Sequence, residues 1–254
     1  MFDLNGKKGL IVGIANEASI AYGCAKAIHS QGAELAITYL NAKAEPYVRP
    51  LAEALESTLI LPCDVEQPGQ LEAVFDAIQA QWGQLDFVIH SIAYAPKDDL
   101  HGRVVDCSRE GFLRAMDVSC HSFARMAKLA EPLMHKGGAL ITMSFYGSQR
   151  AVPNYGLMGP VKAALESVVK YAAAELGPKG IRVYTVSPGP IATRAASGIQ
   201  QFSELLNESR QKAPGNQMVT VDDVGQVAAM LVSDAAKALT GNTIYVDSGY
   251  HVIG

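Results

Sequence analysis

Seven short apolar runs alternate with helical patterns along this chain, and this alternation constrains the fold most. Runs that are apolar throughout, rather than at every second residue, indicate a parallel sheet with both faces covered. Helices between such strands supply the cover, so the sequence predicts an α/β fold: a doubly wound, parallel seven-stranded sheet with helices on both faces. The predicted strands are 9–14, 34–40, 57–65, 85–93, 138–145, 181–189 and 242–249, and the main predicted helices are 19–31, 68–82, 111–136, 155–177 and 221–236.

Length and composition fit one domain. The chain has 254 residues, of which 49% are hydrophobic and 18% charged, which is enough for one large core. We therefore expect residues 1–254 to form a single domain. The segment 190–219 is longer than a tight connection between two elements, and its length is typical of a lid or a substrate-binding segment. We expect a substrate-binding lid around 192–215.

Charge and cysteine content argue against several functional classes. The net charge is -4 and no long Lys/Arg cluster occurs, so we expect no nucleic-acid partner. The sequence has neither a signal-peptide pattern nor an apolar run long enough to span a membrane, so we expect a cytoplasmic, unprocessed protein without a membrane partner. Cys24, Cys63, Cys107 and Cys120 lie far apart and form no ligand cluster with histidine. We expect reduced, mostly buried thiols and no metal site.

The turn after the first predicted strand reads GIANEASIAYG, from Gly13 to Gly23. Small residues let the backbone approach a pyrophosphate, and amides at a helix start favour negative charge. The spacing is not GxGxxG, and packing of the helix against a strand would explain Gly23 without a ligand. After the second strand, Leu40 and Asn41 stand where NAD-binding folds often have a ribose-binding acid. With neither an acid nor an arginine there, these residues leave NADH and NADPH both open.

Tyr155 and Lys162 are the candidate reactive pair. Seven residues on a helix turn the chain by about 700°, so both side chains would share one face about 10 Å apart. A solvated lysine with a half-buried tyrosine would fit the same spacing. Pro160 indicates that the regular helix starts only near it, because a helix interior resists proline.

Motifs near the ends of the predicted strands carry a family resemblance. They are SIAYG at 19–23, CDV at 63–65, HSIAYAP at 90–96, Tyr155 with Lys162, and PGPIATRAASGI at 188–199. Together, over nearly the whole chain, they resemble the enoyl-acyl-carrier-protein reductases of bacterial type II fatty acid synthesis. These enzymes form a divergent branch of the short-chain dehydrogenase/reductase superfamily, whose ordinary members have Tyr-x3-Lys rather than Tyr-x6-Lys. The resemblance implies a Rossmann-like dinucleotide-binding domain.

The resemblance also implies roles for the motif residues. Tyr155 and Lys162 would be catalytic: Tyr155 would stabilise an enolate oxygen, and Lys162 would bind the nicotinamide ribose. The pyrophosphate would lie at Gly13, Ser19 and Ile20. The remaining cofactor-binding residues would be Leu40, Asp64, Val65, Ser91, Ile92, Ala93, Lys162, Ile191 and Thr193, with Asp64 and Val65 at the adenine and Ile191 and Thr193 at the nicotinamide; substrate would contact Ala95, Phe145, Tyr155 and Met158.

Some positions depart from the family pattern or have local explanations. Phe145 stands where many members have tyrosine, so it packs but cannot donate a hydrogen bond, and Tyr146 inherits no role. Leu40 replaces a glutamine or basic residue of many members. Asp64 would also suit a turn, since Asp favours local backbone bonds after a strand. His90 fits a core histidine bonded to backbone better than an acid or base.

The implied reaction is the reduction of trans-2-enoyl thioesters on acyl carrier protein to saturated acyl thioesters, by hydride transfer from a nicotinamide cofactor, in fatty acid elongation. NADH is the expected cofactor because Lys43 is the nearest cation after the second strand, and NADPH is not excluded. One alternative is a short-chain dehydrogenase/reductase that acts on another carbonyl or alkene. The other is a catalytically silent NAD-binding or scaffold protein.

We also expect a homotetramer. The family usually forms one, and the predicted helices 111–136 and 155–177 are apolar around more of their circumference than one sheet face requires. The candidate interface residues are Met126, Leu129, Val168, Val169 and Tyr171.

Overall fold

Seven parallel strands form one sheet in the order β3-β2-β1-β4-β5-β6-β7. The computed structural model describes residues 2–194, 196 and 201–253. The predicted doubly wound parallel sheet is confirmed. Its strands are β1 Lys8–Val12, β2 Glu34–Tyr39, β3 Leu59–Pro62, β4 Phe87–His90, β5 Gly138–Met143, β6 Ile181–Pro188 and β7 Thr243–Val246.

Helices cover both faces of this sheet, as expected. Helix α2 was absent from the prediction because Pro46 and Pro50 interrupt its pattern, although the first of them suits a helix start. The helices are α1 Ile20–His29, α2 Glu45–Glu53, α3 Gln70–Trp82, α4 Lys97–His101, α5 Arg109–Met116, α6 Ser122–Ala130, α7 Met158–Leu176, α8 Phe202–Lys212 and α9 Val221–Val232. Among the described residues, no helix is long and apolar enough to cross a membrane.

The predicted helix 111–136 is one rod with a local change of winding. A π-helical turn at Asp117–His121 joins α5 to α6, and a 3₁₀ turn at Glu131–Leu133 ends the rod. The Ser122 hydroxyl donates to the carbonyl of Val118 at 2.7 Å, a back-bond of the kind that bends helices. The predicted helix is therefore confirmed as far as Leu133, and regular spacing gives no sign of the π-helical turn within it.

The predicted helix 155–177 starts close to Pro160, as that proline indicated, and not at Tyr155. Helix α7 begins at Met158, so Tyr155 precedes it and the argument from a shared helix face was wrong. The backbone explains the late start, because Asn154 and Gly156 have positive φ values of 60° and 38°. Tyr155 still takes part in the first turn, since its carbonyl accepts a hydrogen bond from the Met158 amide at 3.0 Å.

The two sides of the sheet have separate apolar clusters. On β1, Leu10 and Val12 belong to the cluster under α3, α6 and α7, while Ile11 belongs to the cluster under α1, α2 and α9. Successive strand residues point to opposite faces, so runs that are apolar throughout fill both clusters.

Gly23 serves packing between helices rather than between a helix and a strand. A Cβ on Gly23 would lie 2.2 Å from the carbonyl oxygen of Val221 in α9. A Cβ on Gly225 would lie 2.3 Å from the Gly23 carbonyl oxygen, so the backbones of α1 and α9 meet directly. Packing accounts for Gly23, but the expected packing of a helix against a strand was wrong, because the partner is helix α9.

The segment predicted as a lid contains a helix, and the predicted interface needs correction. Helix α8 confirms a helix in the lid segment, and its Phe202, Leu205 and Leu206 are half-buried. Ile199, the other member of the predicted apolar face, lies outside the described residues. Met126 and Val169 are buried in the core of one chain and therefore cannot form the expected interface.

Candidate active site

One cavity of about 750 Å³ opens at the carboxyl ends of the strands. Val12 of β1 pairs with His90 of β4 there, at the point where strand order reverses, which is where such sheets bind ligands. The cavity brings together every residue predicted for cofactor or substrate. They are Gly13, Ser19, Ile20, Leu40, Asp64, Val65, Ser91, Ile92, Ala93, Ala95, Phe145, Tyr155, Met158, Lys162, Ile191 and Thr193.

The turn after β1 is shaped by Gly13 and Ser19. Gly13 has a φ of 113°, and a Cβ on it would lie 2.1 Å from the Ser91 carbonyl oxygen. The Ser19 hydroxyl oxygen accepts hydrogen bonds from the amides of Ala15 and Asn16 at 3.0 and 3.1 Å. The turn is thereby held close to the loop after β4, at the start of α1.

The side of the cavity near β3 is partly exposed, and we call Leu40, Asp64–Glu66 and Arg114 the β3 end. Arg114 forms two hydrogen bonds with the Glu66 carboxylate, at 2.6 and 2.9 Å, and its guanidinium lies 4.5 Å from the centre of the Tyr94 ring. Asp64 serves the turn as its alternative interpretation predicted, because its carboxylate accepts from the Glu66 amide at 3.0 Å.

The opposite side surrounds the start of α7, and we call Met143, Phe145, Tyr155 and Lys162 the α7 end. The Lys162 side chain is only 4% exposed, and its ammonium donates to the Met143 carbonyl at 2.6 Å. Burial lowers the pKa of Lys162 to about 8, although Cys120 and Glu166 oppose the change. The cavity therefore contains an amine whose charge is sensitive near neutral pH.

Tyr155 is held by ring and backbone contacts. Its ring meets the Phe145 ring edge-on, with centroids 4.8 Å apart, and packs so closely on Gly147 that a Cβ there would lie 2.5 Å from it. Burial, together with the negative charge of Glu166, raises the pKa of the Tyr155 hydroxyl well above its usual range. The phenol therefore stays protonated and is available as a hydrogen-bond donor.

His90 is a core histidine, but its partners are hydroxyl groups rather than backbone. Its Nδ1 lies 2.7 Å from the Thr142 oxygen and its Nε2 lies 2.9 Å from the Ser122 oxygen. The Ser122 proton goes to Val118, so Nε2 must donate to Ser122 and Nδ1 must accept from Thr142. Burial, with the nearby charge of Lys162, lowers the pKa of His90 to about 3, so this histidine is neutral.

Near the α7 end, sequence analysis missed Glu166 and gave no role to Tyr146. Glu166 is buried and accepts hydrogen bonds from Ser144, Ser148 and Gln149. Its signal in the sequence was an acid one helical turn after Lys162, within an apolar pattern. Tyr146 points toward the carboxyl-terminal segment, where its ring lies 5.3 Å from the Tyr250 ring.

Comparison with known proteins gives consistent matches. A family model described as enoyl-(acyl carrier protein) reductase matches residues 13–251. The chain is 47% identical to enoyl-[acyl-carrier-protein] reductase [NADH] 2 of Rhizobium meliloti, over 98% of this chain and 93% of that protein.

Solved structures extend this similarity to the fold. The enoyl-(acyl-carrier-protein) reductase of Anaplasma phagocytophilum, in complex with NAD, matches with a TM-score of 0.96 and 46% identity, over 100% of this chain and 97% of that chain. The enoyl-acyl carrier protein reductase of Bacillus cereus, with NADP+ and indole naphthyridinone, matches with a TM-score of 0.97 and 44% identity, over 100% of both chains.

Proposed function

This chain belongs to the enoyl-acyl-carrier-protein reductase family, and we propose that it reduces trans-2-enoyl thioesters on acyl carrier protein to saturated acyl thioesters, with NADH as reductant. The step belongs to fatty acid elongation. One observation supports this most strongly: a buried lysine and a buried, protonated tyrosine line the same cavity as the glycine turn at Gly13.

The cavity fits a dinucleotide. Gly13 lets the turns after β1 and β4 pack closely together, and both turns line the cavity, where a ligand can meet their backbone. The first turn of α1 reads Ile20-Ala21-Tyr22-Gly23, without an acid, and its amides favour an anionic group such as a pyrophosphate. When bound, NADH supplies the hydride for the β-carbon of the enoyl group.

Tyr155 acts on the substrate. Addition of hydride moves negative charge onto the thioester oxygen, and a donor already in place stabilises that charge. Because the Tyr155 hydroxyl stays protonated and Phe145 and Gly147 fix its ring, it can donate there without rearrangement.

Lys162 acts on the cofactor. Its ammonium binds the ribose next to the nicotinamide and adds positive potential near the enolate. The bond to the Met143 carbonyl keeps the amine at the carboxyl end of β5, inside the cavity.

The acyl chain contacts Ala95, Phe145 and Met158, which line the cavity beside Tyr155. The proposed lid over the acyl chain is the segment 192–215, of which 195 and 197–200 lie outside the described residues, and its role is to exclude water during hydride transfer. Phe202 of α8, which also lines the cavity, is its apolar contact. Residues 1–254 thus act as one dinucleotide-binding domain with a lid.

The working protein is a cytoplasmic homotetramer. Its free cysteines, Cys107 half-buried and the others buried, suit a reducing compartment. Helices α5 and α7 expose apolar side chains that a second copy would cover: Phe112 and Leu113 on α5 and Tyr171, which is 71% exposed, on α7. Light scattering at micromolar concentration tests this state, and the mass of a monomer would contradict it.

The test of the reaction is loss of the near-ultraviolet absorbance of NADH in the presence of an enoyl thioester. We expect turnover of crotonyl and longer enoyl thioesters, faster on acyl carrier protein, and none of simple ketones. Reduction of ketones without reduction of enoyl thioesters would contradict the proposed substrate class. Binding of NADH without any turnover would contradict the proposed enzyme activity.

A further inference from the structure

Glu166 is a buried acid that the reaction described above does not use. It lies on α7 one turn beyond Lys162 and is 4% exposed. Its Oε1 accepts hydrogen bonds from the hydroxyls of Ser144 and Ser148 at 2.6 and 2.5 Å, and its Oε2 accepts one from the Gln149 amide at 2.8 Å. All three contacts use the carboxylate as an acceptor, which suits its charged form.

All three donors come from one segment, Ser144–Gln149, which follows β5 directly. This segment contains Phe145 and Gly147, the residues that contact the Tyr155 ring. It begins immediately after Met143, whose carbonyl accepts the hydrogen bond of Lys162. Glu166 therefore holds the segment Ser144–Gln149 in place, and the positions of both Tyr155 and Lys162 depend on this segment.

We propose that Glu166 is a positioning residue of the active site: it fixes Ser144–Gln149 against α7 and supplies the negative charge that keeps Lys162 an ammonium. The inference rests on the proposed function only for its effect on turnover. Its effect on the charge of Lys162 is measured through NADH affinity and does not depend on the reaction.

The charge of Glu166 matters because the other titratable groups seen to interact with Lys162 in the described part of the chain, Cys120 and His90, do not neutralise it. Burial lowers the pKa of Lys162 to about 8, and the negative charges of Cys120, if ionised, and Glu166 oppose that change. Burial also raises the pKa of the Cys120 thiol, so Cys120 is neutral near pH 8 and leaves Glu166 as the working anion. His90 of β4 is neutral as well.

Two other titratable groups of the described chain interact with the charge of Glu166. Tyr155 and Tyr245 of β7 interact with its charge, and burial together with Glu166 raises the pKa of each hydroxyl, so both remain neutral. Of these three groups, only Lys162 should therefore change its protonation around pH 8 when Glu166 is changed.

The test separates the charge of Glu166 from its hydrogen bonds. In Glu166→Gln, the amide oxygen still accepts from Ser144 and Ser148, and rotation of the Gln149 amide restores the third bond, so mainly the charge is lost. Ser148→Ala removes one hydrogen bond and keeps the charge. Glu175→Gln is the matched control, an exposed acid further along the same helix.

The readouts are the NADH dissociation constant, measured by fluorescence between pH 6 and 9, and the pH profile of turnover. An opposite charge within about 4–6 Å moves a pKa by about one unit or more, and Lys162 and Glu166 lie one turn apart on α7, a spacing that brings side chains about 5–6 Å from each other. For Glu166→Gln we expect the pH at which NADH affinity declines to fall by about one unit, with roughly fivefold weaker binding at pH 8. Ser148→Ala should lower turnover without moving that pH, and Glu175→Gln should match the parent protein.

NADH binding needs no substrate, so this measurement stands even if enoyl thioesters are not reduced. Failure of the parent protein to reduce them would count against the proposed function alone. An unchanged pH dependence of NADH binding in Glu166→Gln would overturn the inference about Glu166, whatever its melting temperature or turnover. An equal shift in Glu175→Gln would also overturn it, because the effect would then be one of net charge.

Discussion

The α7 end and the β3 end of the cavity are each held by a glutamate, but in opposite surroundings. At the α7 end, Glu166 is buried and binds neutral donors of the segment after β5. At the β3 end, Glu66 binds Arg114 in an ion pair whose side chains are 31% and 49% exposed. Leu40, on the same side, is 53% exposed.

The difference in burial between the two ends shows where the protein needs a fixed geometry. A buried network that is fully satisfied allows few alternative arrangements, and breaking it leaves polar groups without water. An exposed ion pair contributes little to stability, because water and salt compete with it. Equivalent substitutions should therefore have large effects at the α7 end, intermediate effects in the turn between the ends, and small effects at the β3 end.

The largest expected effect concerns His90, in the core beneath the α7 end. Its pKa is about 3 in the folded protein against an ordinary value of 6.5. Between these two pH values, the unfolded chain therefore binds a proton at His90 and the folded protein does not. Stability from this residue is complete above pH 6.5 and is lost as the pH falls toward 3, by on the order of 4 kcal/mol.

Urea unfolding at several pH values measures this loss. His90→Gln keeps two polar contacts without titrating, so its free energy of unfolding should fall less steeply between pH 6.5 and 3. His121→Gln is the control, because the His121 side chain is 62% exposed. Parallel curves for His90→Gln and the parent protein would contradict the assignment of a neutral buried histidine.

An intermediate effect is expected at Gly13, in the turn that both ends share. Gly13→Ala forces a side chain into a backbone conformation with φ 113° and against the Ser91 carbonyl. Such strain costs about 1–3 kcal/mol, so NADH affinity should fall by about 5- to 150-fold.

Calorimetric titration with NADH tests this expectation. Gly177→Ala provides the control, since a Cβ at Gly177 meets nothing within 4 Å. Retained NADH affinity in Gly13→Ala would mean that the turn after β1 does not approach the cofactor.

The smallest effect is expected at the β3 end. Arg114→Ala removes the ion pair with Glu66 and the contact with the Tyr94 ring. An exposed pair is worth up to about 1 kcal/mol, so NADH affinity should weaken by about fivefold at most.

Added salt should reduce the difference between Arg114→Ala and the parent protein, because salt screens exposed charges. Arg103→Ala, which removes the exposed pair with Asp106, should leave NADH affinity unchanged. A loss at Arg114 as large as that at Gly13 would abolish the proposed contrast between the two ends.

The sheet could be predicted because its information is local. Each strand appears in the sequence as a run of apolar residues, and burial on both faces makes those runs continuous. The predicted runs extended past several strand ends, as at Gly13 and Phe145, because turn residues that line the cavity are also small or apolar.

The site was less predictable where geometry depends on the backbone or on distant partners. Tyr155 was placed on the helix because its spacing from Lys162 fits one, whereas the positive φ values of Asn154 and Gly156 delay the helix start. The apolar pattern around Glu166 indicates burial but does not identify its partners. Its role depends on donors 17 to 22 residues earlier in the chain, which helical spacing cannot reveal.

The central claim is that Tyr155 serves the substrate and Lys162 serves the cofactor, and one paired measurement tests it most directly: the NADH dissociation constant and the turnover number of Tyr155→Phe and Lys162→Ala. Loss of one oxyanion donor costs about 3–4 kcal/mol, so Tyr155→Phe should lose about 10²- to 10³-fold in turnover while binding NADH nearly normally. Loss of a charged hydrogen bond costs about 1.5–3 kcal/mol, so Lys162→Ala should bind NADH about 10- to 150-fold more weakly and also turn over more slowly. Weaker NADH binding in Tyr155→Phe together with normal binding in Lys162→Ala would contradict the assignment of the two roles.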